Sequence, residues 1–216
     1  MRHRPLTCLL VLVAAAVAQS EPPDVGITGV VIPTPGPIGC GLSTHLLTCT
    51  DVFLYADDPA KLDAVVGHNV KLLGNEVPVP GVTCHLIKVS EVEEPPPATL
   101  VACGSFVPGC TVKFVICPGG LSQFGLWVAL DQGYKPITPL KGTWLLGEPF
   151  FLIALGFDGA ACHEVVFDVP AMPILVDVPV WFQAARREIG PVGPLQLTNV
   201  ECVTLQPGGP CVSPGC

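Results

Sequence analysis

Positive charge is scarce in this chain. Ten lysines and arginines stand against 18 aspartates and glutamates, a net charge of −8. That field repels phosphate backbones and anionic headgroups, so no nucleic-acid partner is expected. Redox and metal signatures are missing as well. No Cys-x-x-Cys pair occurs, which removes a thioredoxin-type centre and a zinc ribbon. Cys84-His85 and Cys162-His163 place ligand types side by side, but neighbours on a strand point to opposite faces and cannot share one ion. There is no EF-hand loop and no Asn-x-Ser/Thr sequon.

Hydrolase signatures are equally thin. The nearest approach to a nucleophile elbow, Gly120-Leu121-Ser122-Gln123-Phe124, has no second glycine in register. His45, His68, His85 and His163 have no nucleophile specified beside them. A glycosidase needs two carboxylates across a cleft, whereas Asp57-Asp58 reads as a helix entry and Glu91, Glu93 and Glu94 as a solvated linker. No catalytic residue, metal ligand or cofactor is therefore expected, and the protein reads as a non-enzyme. Beyond the N-terminus no apolar run approaches the ~20 residues of a membrane span, the longest being Pro149–Leu155.

What is present begins with Met1–Ala18. A basic start (Arg2, Arg4), an apolar run from Leu6 to Val17 and Ala16-Val17-Ala18 read as a signal peptide, so export to the periplasm or the exterior is expected. Its removal takes Arg2 and Arg4, leaving 8 basic against 18 acidic residues, a net of −10. Of 11 cysteines it carries away Cys8. An even set remains: Cys40, Cys49, Cys84, Cys103, Cys110, Cys117, Cys162, Cys202, Cys211 and Cys216. Even thiols in an exported chain imply disulfides. Spacing alone does not fix the pairing; proximity along the chain favours Cys49–Cys84 and Cys211–Cys216.

With 23 glycines and 25 prolines in 216 residues, and half of all residues apolar, the chain is turn-rich but has material for a core. A Pro/Gly-rich lead-in over 19–41 reads as extended polyproline. Residues 42–94 read as a small β domain with one short helix, which Asp58 caps, Pro59 opens and Gly67 stops. Pro95-Pro96-Pro97 marks a linker at 95–98. Short strands with turns every 8–12 residues then fill 99–205 as a β-sandwich, in which Phe150-Phe151-Leu152-Ile153 has the two-sided apolarity of a central strand. Asp131-Gln132-Gly133-Tyr134 reads as a hairpin turn, and 206–216 is a Pro/Gly/Cys tail.

Several stretches of the second half carry a resemblance. They are Pro118-Gly119-Gly120 before a strand, Leu145-Leu146-Gly147 before Phe150-Phe151-Leu152, Phe167-Asp168-Val169-Pro170, Pro179-Val180-Trp181-Phe182-Gln183-Ala184 and Pro194-Leu195-Gln196-Leu197-Thr198-Asn199. Over about half the mature chain this resembles exported all-β proteins of environmental bacteria that end in a compact β-sandwich. That group supplies no site residues. The first half, in Leu62–Gly74 and Cys84-His85-Leu86-Ile87-Lys88-Val89, resembles an OB barrel. OB barrels often bind single strands, but between Gly41 and Pro95 three lysines face eight acids.

The expected fold is thus all-β, a small OB-like barrel with one short helix followed by a disulfide-stapled β-sandwich. The expected role is an exported structural or interaction module with a protein or glycan partner. The alternative is a carbohydrate-binding or accessory module of a secreted hydrolase system, in which exposed Trp127, Trp144 and Trp181 would stack on sugars. Their apolar flanks favour core positions for all three.

Overall fold

The computed structural model describes residues 25–34, 40–117, 121–137, 142–159, 161–189 and 194–212. The proposed leader, Pro35, Pro37 and Cys216 lie outside the described residues. Five strands close a barrel: β1 (Val25–Pro33), β2 (His45–Leu47), β3 (Val52–Tyr55), β4 (Asn69–Val77) and β5 (His85–Glu93). Their spatial order is β1-β2-β3-β5-β4, with β4 returning to β1. Only β3 and β5 run parallel. This is the OB arrangement expected from the first half. Between β3 and β4 sits α1 (Ala60–Asp63), where the Asp58 carboxylate accepts the Ala60 N–H at 3.1 Å. Leu62 and Val65 plug the barrel from this side, and Gly67 ends the turn at φ +82°. Gly74 has a different task. β5 carries an extra residue, Ser90, opposite this point of β4, and a Cβ on Gly74 would lie 2.2 Å from the Lys88 carbonyl oxygen.

The barrel needs β1, and that corrects the reading of 19–41 as a polyproline lead-in. Prolines flank the segment, but Val25–Ile32 contains none and is almost wholly buried.

The second half supplies β6 (Thr99–Cys103), β7 (Thr111–Cys117), β8 (Ser122–Ala129), β9 (Gln132–Ile137), β10 (Gly142–Leu146), β11 (Phe150–Asp158), β12 (His163–Asp168), β13 (Pro179–Glu188) and β14 (Leu195–Thr204). A four-stranded sheet, β11-β8-β13-β14, faces a three-stranded one, β12-β7-β6. Between them lie Leu100, Val112, Phe114 and Ile116 from one side and Phe124, Leu126, Val180 and Phe182 from the other. The rings of Phe114 and Phe182 meet with centroids 4.6 Å apart. Asp131-Gln132-Gly133-Tyr134 is not a hairpin turn: it opens β9, which pairs with β10 and not with β8. β11 is not a central strand either. It is the edge of its sheet, paired only to β8.

The outer face of the four-stranded sheet is also covered, by the barrel and the β9–β10 hairpin. Ala129, Leu145, Leu146 and Val200 belong to the same apolar cluster as Ile27, Leu47, Leu72 and Ile87 of the barrel. The prolines at 95–98 therefore join two units that share one core. Two buried amides at the seam are fully matched. Asn199, 2% exposed, accepts the Asn69 amide and the Leu100 N–H and donates to the Leu100 carbonyl and Glu201, which uses its full capacity. Gln183, fully buried, accepts the Leu145 N–H and donates to the Thr143 and Thr198 carbonyls, which fastens the hairpin to the sheet.

Disulfides join Cys40–Cys84, Cys49–Cys202, Cys110–Cys211 and Cys117–Cys162, and Cys103 is disulfide-bonded too. Both pairings favoured by chain proximity fail. Cys49 reaches across the seam to β14, and Cys211 returns to the start of β7. The tail follows it, with Gln206 N–H donating to the Phe106 carbonyl. So many disulfides fit an oxidising compartment outside the cytoplasm.

Two predictions follow from the seam's polar groups. Gln183→Leu strands three buried backbone groups and should lower the unfolding free energy by about 2–4 kcal/mol in urea titrations. Glu201 is the second case. Burial pushes its pKa up from the usual 4.5 to about 6, while the Asn199 amide pulls the other way. The folded state thus takes the proton before the unfolded one does. The site works against folding above pH 6, and that cost disappears as pH falls to about 4.5. Between those values the wild type should gain on the order of 1–2 kcal/mol of stability that Glu201→Gln does not gain.

Candidate functional site

Where the β9–β10 hairpin leans over β8 and β11, the outer sheet face opens into a cleft of about 470 Å³. That is the size of a small-ligand site. Trp127 comes from β8, Tyr134 and Lys135 from β9, Trp144 from β10, Glu148 from the β10–β11 turn and Phe150 from β11. Four aromatic residues line one cavity in a chain that is only 6% aromatic. Register brings them together, with a bulge in the hairpin that takes in Tyr134. Trp144 lies directly opposite Lys135 across the hairpin, and Phe150 lies opposite Ala129 at the end of β8.

Each ring is held. Trp127 lies across Gly125, where a Cβ would stand 2.4 Å from the indole. Trp144 meets Trp127 edge to face at 5.2 Å and Phe150 at the same distance on its other side. Tyr134 stacks on His85 of the barrel, centroids 3.7 Å apart, and His85 Nδ1 sits 2.9 Å from the Glu76 carboxylate. Burial first, and the Glu76 charge second, push the Tyr134 phenol well above its ordinary pKa, so it stays neutral. The barrel thus braces the rear of the cleft. The Trp144 Nε1–H is buried with no hydrogen-bond partner among the described residues, an uncommon state for a group on a cavity lining.

Of the three tryptophans considered from the sequence, Trp127 and Trp144 come together here. Trp181 goes to the seam, where its Nε1–H donates to the Cys49 carbonyl at 3.1 Å. All three are partly buried and pack on the shared core. Tyr134, Lys135, Glu148 and Phe150 escape a sequence reading because a turn assignment hides β9 and a central-strand assignment hides the exposure of β11.

The histidines are engaged elsewhere. His45 lies 3.2 Å from Asp63, and His68 2.7 Å from Glu94. Ser122 Oγ and His163 Nε2 stand 2.7 Å apart, the spacing of a nucleophile and its base. Both residues have no solvent exposure, and His163 stacks on Phe124 at 4.5 Å, so a substrate carbonyl does not reach the hydroxyl. Among the described residues no group of three or more His, Cys, Asp or Glu is placed to hold a metal. None of the family models matches this chain, and neither the curated proteins nor the solved structures contain a match to it.

The dependence of the cleft on Gly125 is testable. Gly125→Ala should displace the Trp127 ring, altering the near-UV tryptophan circular dichroism while leaving the far-UV β spectrum in place, at a stability cost of about 1–3 kcal/mol.

Proposed function

We propose that the protein is a non-enzymatic interaction module of an extracytoplasmic compartment, secreted or periplasmic, and that its aromatic cleft holds a glycan. The observation that carries this is the convergence of Trp127, Trp144, Tyr134 and Phe150 on one cavity whose border also carries Lys135 and Glu148. The faces of sugar rings are patches of C–H bonds that pack on aromatic rings, while their hydroxyls seek charged and amide partners. A lysine and a carboxylate at the same cavity supply a donor and an acceptor for such hydroxyls. The acidic balance of the chain favours a neutral or cationic glycan over an anionic one.

The reading keeps the alternative of an accessory module for a secreted hydrolase system, since such a module works by holding a polymer near another protein's active site. It leaves the barrel without a ligand of its own. The barrel's part is to support Tyr134 through His85 and Glu76.

Titration with a panel of neutral oligosaccharides, followed by tryptophan fluorescence and calorimetry, tests the proposal. Binding should quench or shift the emission of the wild type. Lys135→Met and Glu148→Gln, at the cavity border, should each weaken binding by about tenfold or less, and Trp127→Ala by more. Trp181→Phe should leave affinity unchanged. A panel with no binder, or a binder indifferent to the border variants, would show that the cleft is not a glycan site.

A further inference from the structure

Strand β11 ends its sheet with one backbone edge bonded to β8 and the other unpaired among the described residues. Its side chains are unusually apolar for an edge. Phe150 is 40% exposed, Phe151 57%, Leu152 51%, Leu155 74% and Phe157 56%. No charged residue and no proline occurs from Phe150 to Phe157. Natural proteins blunt such edges with lysines, prolines, bulges or a covering element, because open backbone groups on an apolar strand recruit another strand. β11 has only a bulge, between Leu152 and Ala154, beyond which Ala154–Asp158 runs in regular register.

We propose that β11 is the self-association surface of the protein: two copies pair their β11 strands antiparallel about a two-fold axis, joining two four-stranded sheets into one of eight strands. The antiparallel sense is the one that a closed two-fold dimer requires, since the same strand then serves both sides. The five exposed side chains offer roughly 500 Å² of apolar surface per copy, of which Phe150 also lines the cleft, so with the edge backbone a pair of copies has on the order of 1,000 Å² available to bury, the lower bound of a specific interface. A patch of that extent is at the upper end of what a monomer leaves open. The charge pattern agrees. The chain as a whole is acidic and two copies repel, but the strand carries no charge from Phe150 to Phe157, its one acidic residue being Asp158 at the end. Salt should therefore strengthen the dimer by screening the repulsion, opposite to a contact built on ion pairs. This surface does not rest on the glycan reading, and either can fail without the other.

Sedimentation velocity of the intact, oxidised protein across a wide concentration range should show a monomer–dimer equilibrium that tightens with added sodium chloride. Leu155→Lys and Phe157→Lys change side chains that already face solvent, so the fold should persist by circular dichroism while the dissociation constant rises at least tenfold. Amide exchange at residues 150–157 should slow in step with the dimer fraction. A wild type that stays monomeric would overturn the proposal, as would a dimer that both lysine variants leave intact or that salt weakens. Equally slow exchange of 150–157 in the monomer would mean that another part of the chain covers the strand, and would also overturn it.

Discussion

Burial of both faces of one sheet is the constraint on which this molecule depends. The inner face of β8 and β13 closes the sandwich through Phe124, Leu126 and Phe182. The outer face of the same strands, with β14, completes the core of the barrel through Ala129 and Val200. An antiparallel sheet commonly leaves one face to water and shows alternating polarity. Here that relief is confined to β11 and the neighbouring part of β8, and polar groups on β13 and β14 are caught between layers. Gln183 and Asn199 bond there to backbone on neighbouring elements, which makes them spacers as well as ties. The sandwich keeps a core of its own between its two sheets, while the barrel core is continued by residues of the second unit.

The same arrangement accounts for what could be read from the sequence. Elements whose cues are local were legible: α1 from Asp58, Pro59 and Gly67, and β7 from Thr111 to Cys117 with matching ends. The barrel was expected from the resemblance of Leu62–Gly74 and Cys84–Val89 to OB barrels, without its first strand and without its strand order. Features set by distant partners were not legible. A strand apolar on both sides has the same composition whether it lies in the middle of a sheet or on an open edge, so β11 could not be placed. In 19–41, prolines around Val25–Ile32 masked a strand whose eight residues contain none. Disulfide partners were opaque because closeness along the chain and closeness in space diverge once β14 lies against the barrel.

The cleft illustrates how a site arises from packing choices made for other reasons. The hairpin β9–β10 covers only part of the outer face, near β13 and β14, and leaves β8 and β11 uncovered beyond its border. Trp127 occupies that border because Gly125 gives its ring a flat place to lie. Trp144 and Tyr134 face it from the hairpin. The tryptophan positions were visible in the sequence, but their separation into a cleft pair and a seam residue was not. It depends on register between strands 17 to 54 residues apart, the spacings of Trp144 and Trp181 from Trp127.

The bond between Cys49 and Cys202 spans 153 residues and fastens the second barrel turn to the last strand. A chain delivered N-terminus first presents Cys49 long before its partner exists. During that interval the thiol stands near Cys40 and Cys84, which are its neighbours in sequence. The native set of links therefore passes over the nearer thiols, and any bond that Cys49 makes to them has to be exchanged before that set is reached.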